Sequence, residues 1–298
     1  MRSLLRALIL LPLSTSAVAQ SSQIIYWSIP QDQIENAIQH VPQDNPSRLA
    51  RLRSRFEDGE CKGSFMHDQI VRHKQNVEGK NLICNLNEDS GRGTILIIAH
   101  YQHEGAGMSV VDNWSGALML PLLYFSLRVA PRTHRYVFLE LDGKEGAKTY
   151  LHFLSREQRH AVKAVIALDG LGVGNLSYFS IPNFGEPIQP ASIGLQMAFL
   201  QSAFFNGMKP LPALSDPRHW VGLDDTAEFR HAKLPVLTIH SIADQYKLPR
   251  SKDDTPAAID MDKYYQTYRV LCVYLGYLDT VADTLTAYNN ISHSKGHR

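Results

Sequence analysis

An excess of charge of either sign is the first thing this chain lacks: 30 Lys and Arg stand against 29 Asp and Glu, a formal net charge of +1. Near-neutrality removes the electrostatic drive toward nucleic acid or an anionic membrane surface as the main partner. The one basic run, RLARLRSRF over 48–56, has helical spacing and reads as the solvated face of a helix. Cysteine is equally scarce, with 3 in 298 residues and neither a CxxC pair nor a Cys/His cluster. That argues against a structural zinc site and leaves room for at most one disulfide. Cys61 and Cys84 are either that pair or two unlinked thiols, while Cys272 falls in an apolar C-terminal stretch and reads as core. No GxSxG is present, which disfavours a serine hydrolase built on a nucleophile elbow. HEGAG at His103 lacks the second histidine of HExxH, and GLGVGN lacks the third glycine of a dinucleotide loop and reads as a turn.

Also missing is an apolar run of the roughly 20 residues a membrane-spanning helix needs. The N-terminal run after Arg6 stops at Ser14, and Ala17-Val18-Ala19 follows as a small-x-small site. Residues 1–19 therefore read as a signal peptide cleaved near Ala19, which predicts a secreted or periplasmic protein with no membrane association after cleavage. Neither repeats nor low-complexity stretches nor a Pro/Gly linker divide the remainder, so residues 20–298 read as one domain.

With 44% hydrophobic residues the chain can bury a full core. Apolar runs at 81–86, 94–101, 135–141, 164–171 and 235–241, several of them β-branched, predict buried strands. Helical patterns at 115–130, 147–161, 192–207 and 262–283 lie between and after them. Such alternation predicts an α/β fold: a central, mostly parallel, twisted sheet with helices on both faces. The tyrosine stripe Tyr264, Tyr265, Tyr268, Tyr274 and Tyr277 has the spacing of a helix packed on that sheet. Ligand sites in these folds form beyond the carboxyl ends of the strands.

At those ends stand groups suited to a metal. His100 closes ILIIAH, Glu145 follows FLELDGK, Asp169 closes VIALD, His240 closes VLTIH, and Asp112 precedes the long helix in VDNWSG. A single strand-end His or Asp is usually a capping residue. Five at once are hard to explain that way, because carboxylates avoid sheet ends unless something pairs with them.

The ordered set AHYQH, VDNWSG, GKEG, ALDGLG, DDTAEF and LPVLTIHS resembles the co-catalytic zinc aminopeptidase family, over roughly residues 60–280. That family also holds glutamate carboxypeptidase, the protease-like domain of the transferrin receptor and, as a one-zinc relative, glutaminyl cyclase. The resemblance implies a zinc-exopeptidase type of fold and two zinc ions bridged by Asp112. His100 and Asp169 would complete the first site, and Glu145 and His240 the second. Imidazole nitrogen with carboxylate oxygen suits zinc and leaves a position open. Asp225 would be a supporting or substrate-side aspartate, Phe229 a packing residue, and the peptide after Asp112 strained.

Two positions depart from the family pattern. Gln102 stands where an aspartate orients the metal histidine, and an amide adds no negative charge. Lys144, in LDGKEG, stands where a glutamate takes a proton from the attacking water and passes it to the leaving amine; such catalysis is worth about 10²- to 10⁴-fold. With Lys144 charged, it and the carboxylates of Asp112, Glu145 and Asp169 leave two net negative charges, which balance one divalent ion instead of two. Three arrangements are open: a single metal, a neutral Lys144 whose pKa two metals depress, or an ammonium folded toward Asp142 that leaves a metal site without its base. Glu104, in a loop, and Glu140, inside a strand where it should have a structural partner, are the other carboxylates to weigh as bases.

The reading is an exported zinc metallo-exopeptidase of aminopeptidase type acting on peptides near the N-terminus and impaired by Lys144. The alternatives are a catalytically inactive peptidase-like binding protein and a one-zinc enzyme resembling glutaminyl cyclase. Oligomeric state stays open.

Overall fold

A computed structural model describes residues 24–73, 78–179, 190–215, 226–241 and 247–294, with side chains to residue 285. The signal segment and Asp225 lie outside the described residues, as does most of the loops 182–192 and 208–224 that would shape a substrate pocket. In chain order the elements are α1 (Gln31–Gln39), α2 (Asn45–Asp58), β1 (Met66–Arg72), β2 (Glu78–Leu86), β3 (Thr94–His100), α3 (Ser115–Leu127), β4 (Arg135–Leu141) and α4 (Gly143–Phe153). Next come α5 (Arg156–Ala161), β5 (Val162–Leu168), β6 (Ser177–Phe179), α6 (Pro190–Phe205), β7 (Ala213–Leu214), α7 (Thr226–His231), β8 (Val236–His240) and α8 (Met261–Ser294).

The strands form one sheet of eight in the order β1-β2-β4-β3-β5-β8-β6-β7. Pairs β4/β3, β3/β5 and β5/β8 are parallel, so the carboxyl ends of four adjacent strands make one rim. Antiparallel pairings β1/β2, β2/β4 and β6/β8 flank them, which makes the sheet mixed. Its two faces feed two cores. Ile95, Ile97 and Ala99 of β3 join a large cluster with α1, α2, α3, α6 and α8, while Leu96 and Ile98 join a smaller one with α4 and α7. That split is the period-two alternation of a strand covered on both sides. Helix α3, SGALMLPLLYFSL, is apolar all round and buried almost throughout, as a helix wedged between the sheet, α2 and α8 must be.

Three expectations need adjustment. The helix expected over 147–161 is two helices, because Ser155 starts α5: its hydroxyl accepts from Gln158 N at 3.2 Å while Gln158 Oε1 accepts from Ser155 N at 2.8 Å. The basic run in α2 is not wholly solvated. Arg48 shares its buried face with Leu52 and Phe56 and is 0% exposed. Its guanidinium donates to the carbonyls of Tyr101, Met108 and Ser109 and lies 5.6 Å over the Trp114 ring. Glu140 has no hydrogen-bond partner at either carboxylate oxygen, although it is fully buried. Burial pushes its pKa well above the usual carboxylate range.

Cys61 and Cys84 form a disulfide that ties the segment after α2 to β2. Cys272 is a free thiol buried in α8, pushed up to about 12 by that burial. Of the tyrosine stripe, Tyr264, Tyr268 and Tyr274 are fully buried against the sheet side of α8.

His134, just before β4, lies 3.2 Å from Asp279 and 3.4 Å from Asp283 of α8. Burial alone would lower its pKa, but the two carboxylates outweigh that and raise it above 6.5. A raised folded pKa stabilises fully below the unfolded value and is lost as pH rises through the folded one. The urea midpoint should therefore decline as pH rises from about 6.5. His134→Asn should flatten that stretch of the profile, and an unchanged slope in the variant would refute the assignment.

Candidate metal centre at the strand ends

His100 ends β3 and Asp169 follows β5, the parallel neighbour of β3, so the sheet alone sets these two side by side. Asp112 reaches them from a kinked turn, Val110–Trp114, ahead of α3, in which Asp112 and Asn113 have non-helical dihedrals. That turn is fastened to the rim by the residues after Asp112. Asn113 Nδ2 donates to Leu168 O at 2.8 Å, and its Oδ1 accepts from Gly116 N and Gly170 N at 3.0 and 3.2 Å. Gly116 is required here, because a Cβ would lie 2.4 Å from both Asn113 Oδ1 and Leu168 O. Ser115 Oγ accepts from Leu171 N at 3.0 Å. The Asp112–Asn113 peptide is cis. With no exposed surface and both side-chain polar atoms engaged, Asn113 is closed as a glycan acceptor in the folded chain.

Ligand atoms of His100, Asp112 and Asp169 lie within 4.8 Å of one another, the group of this kind found among the described residues. His100 and Asp112 are each 3% exposed and Asp169 is 8% exposed. His100 Nε2 is 3.1 Å from Asp112 Oδ1. Burial opposes ionisation of Asp112, but His100 and Arg250 together hold its pKa below the usual carboxylate value. One imidazole nitrogen and two carboxylates, withdrawn from water and convergent, fit one divalent cation.

The remaining ligands implied by the resemblance are not in this group. His240, at the end of β8 beside Asp169, is 1% exposed; burial pulls its pKa down to about 3, and Nε2 lies 2.7 Å from Ser215 Oγ. Glu145, in the first turn of α4, faces outward. Its carboxylate meets Lys148 Nζ at 2.6 Å, one helical turn on, and Lys148 holds its pKa below the usual value. Lys144 does not fold toward Asp142: Nζ is 3.7 Å from Glu228 Oε1 of α7. Asp142 is engaged elsewhere, with His73 Nε2 at 2.6 Å and the Gln102 amide donating at 2.8 Å. Gln102 thus supports Asp142 by its side-chain contact. These groups line a cavity of about 640 Å³ between α2 and β2 that also takes in Tyr101 and Lys80.

Arg250 and Asp254 are parts of the site that sequence reasoning missed. Arg250 Nε donates to Asp112 Oδ2 at 3.0 Å, and Nη2 pairs with Glu104 Oε2 at 3.1 Å. Asp254, fully buried, accepts at one oxygen from Val111 N at 2.6 Å and at the other from Asp112 N and Arg250 N at 3.3 Å each. Their stretch, KLPRSKDDTP, is polar and aperiodic, and its partner is 138 positions upstream. No signal in the sequence joins the two. HEGAG, by contrast, has a structural reason for its glycines: a Cβ on Gly105 would lie 2.6 Å from Arg250 O, and one on Gly107 2.3 Å from Ser251 O.

A mostly parallel rim carrying a buried His/Asp/Asp group combines an α/β fold with a candidate metal centre at its strand ends. The model of Peptidase family M28 matches residues 81–275, and the chain belongs to that family. The curated proteins yield no match. Among solved structures the chain is similar to BSAP, a zinc aminopeptidase from Bacillus subtilis, at 15% identity and TM-score 0.57 over 67% of this chain and 50% of that one. It therefore spans about half the length of that aminopeptidase. Two glutaminyl cyclases are matched over more of their length. That of Fimbriiglobus ruber gives TM-score 0.65 at 17% identity over 84% of this chain and 97% of that one. That of Macrostomum lignano gives TM-score 0.69 at 14% identity over 84% and 89%. At these identities the likeness is one of fold.

Proposed function

We propose that the chain is an exported, zinc-dependent exopeptidase of aminopeptidase type with low turnover, acting on short peptides at the strand-end rim. The observation that carries this is the buried convergence of His100, Asp112 and Asp169 at the ends of two adjacent parallel strands. These three residues would hold zinc. The ion supplies Lewis acidity, polarising a carbonyl and acidifying water. The chain's own contribution is positional: Asn113 and Ser115 fix the Asp112 turn, His100 and Arg250 keep Asp112 ionised, and the cavity beside Gln102 and Asp142 is of a size for a short peptide. Low turnover follows from Lys144, because an ammonium paired with Glu228 takes no proton from water. The Cys61–Cys84 disulfide supports export, since such bonds persist in oxidising compartments. N-terminal sequencing of protein recovered outside the cytoplasm should begin near Gln20.

A second reading, an inactive peptide-binding protein, is favoured by the outward pairing of Glu145 with Lys148. Zinc analysis and aminoacyl-anilide assays separate the two. Bound zinc in the wild type, its loss in Asp169→Asn, and measurable wild-type hydrolysis are expected. Zinc binding without wild-type hydrolysis would leave the binding-protein reading, and cyclisation of N-terminal glutaminyl peptides would move the assignment to a cyclase.

A further inference from the structure

We infer that the guanidinium of Arg250 takes the place of a second metal ion, so that this chain holds a single divalent cation. The inference rests on the zinc-site reading above but makes a separate claim about Arg250.

A carboxylate that bridges two ions must offer one oxygen to each. Here Asp112 Oδ1 faces His100 at 3.1 Å, inside the ligand group, whereas Oδ2 is taken by Arg250 Nε at 3.0 Å. The contact is not a loose surface pair. Asp254 accepts from Asp112 N and from Arg250 N at the same oxygen, so one buried carboxylate sets both partners. The Arg250 carbonyl accepts from Ala106 N at 3.1 Å, and the close approach at Gly105 presses the 103–109 loop against that backbone. Glu104, from the same loop, holds the outer edge of the guanidinium at 3.1 Å.

Charge points the same way: Arg250 already faces the Oδ2 edge of Asp112, so a second cation at that oxygen would meet a guanidinium of like sign. The other ligands of a second ion are also committed, Glu145 to Lys148 and His240 Nε2 to Ser215. An arginine is suited to the role, since it stays charged when partly buried and its planar fork matches a carboxylate edge.

The test is zinc stoichiometry, by calorimetric titration and elemental analysis, on the wild type, Arg250→Lys, Arg250→Gln and Arg250→Gln/Lys148→Gln, each checked for folding by circular dichroism. Expected are one zinc per chain in the wild type and in Arg250→Lys, and a second, weaker zinc in the neutral variants, clearest in the double one. Two zinc ions in the wild type would overturn the inference and leave the zinc-site reading intact. So would a double variant that folds and still binds only one. No zinc in the folded wild type would defeat the zinc-site reading and the inference with it.

Discussion

Lys144→Glu raises the turnover of aminoacyl-anilides by about 10²-fold over the wild type, with zinc content unchanged. In the proposed reading a carboxylate at 144 would take the proton-transfer role that the resemblance assigns to this position, and positioned general-base groups contribute about 10²- to 10⁴-fold. The lower end is expected because Glu228, now the partner of Lys144 at 3.7 Å, becomes a like-charged neighbour. Adding Glu228→Gln removes that repulsion and should raise the rate further. A wild type that hydrolyses detectably and a variant that does so no faster would show that Lys144 is not what limits the reaction. A silent wild type whose variant acquires activity would make the natural chain a binding protein.

The second large effect is on stability. Cys61 and Cys84 are 23 positions apart, and a cross-link closing a loop of that length restricts the unfolded chain by about 3 kcal/mol. Cys61→Ala/Cys84→Ala should lower the unfolding free energy by about that amount in urea titrations, since both sulfurs sit in the large core beside Phe56 and Leu82. Treating the wild type with reductant should reproduce the loss. A double variant as stable as the oxidised parent would mean that the bridge contributes nothing to the folded chain.

Much of this architecture was legible because its cues are local. Runs such as TILIIAH and RYVFLEL become the parallel strands they describe, and the residues that close them are delivered to one rim by strand pairing alone. Asp112 was singled out by its place in VDNWSG before the long helix, and the contacts of Asn113 and Gly116 that fasten its turn lie within a few residues and one strand end. Glu145 turns away from the group because of its neighbour. A lysine one turn along the same helix offers an ion pair at once, and nothing in GKEGAK reveals which way that side chain turns. The Cys61–Cys84 pair needed tertiary structure to choose between bond and free thiols. Arg48 and Arg250 were beyond reach because the carbonyls and carboxylates that hold them come from segments distant in sequence, and a buried arginine in a basic run looks like any other.

The segment around Arg250 and Asp254 would attract anyone seeking a place to insert a tag or shorten a loop, since it is polar, contains proline and contributes little regular structure. Asp254 makes it a poor choice. Through one carboxylate this segment and the Asp112 turn are a single mechanical unit, so altering the length of 250–254 displaces Asp112, far upstream in sequence. Tolerance to insertion, which elsewhere tracks exposure and polarity, is set here by three backbone hydrogen bonds.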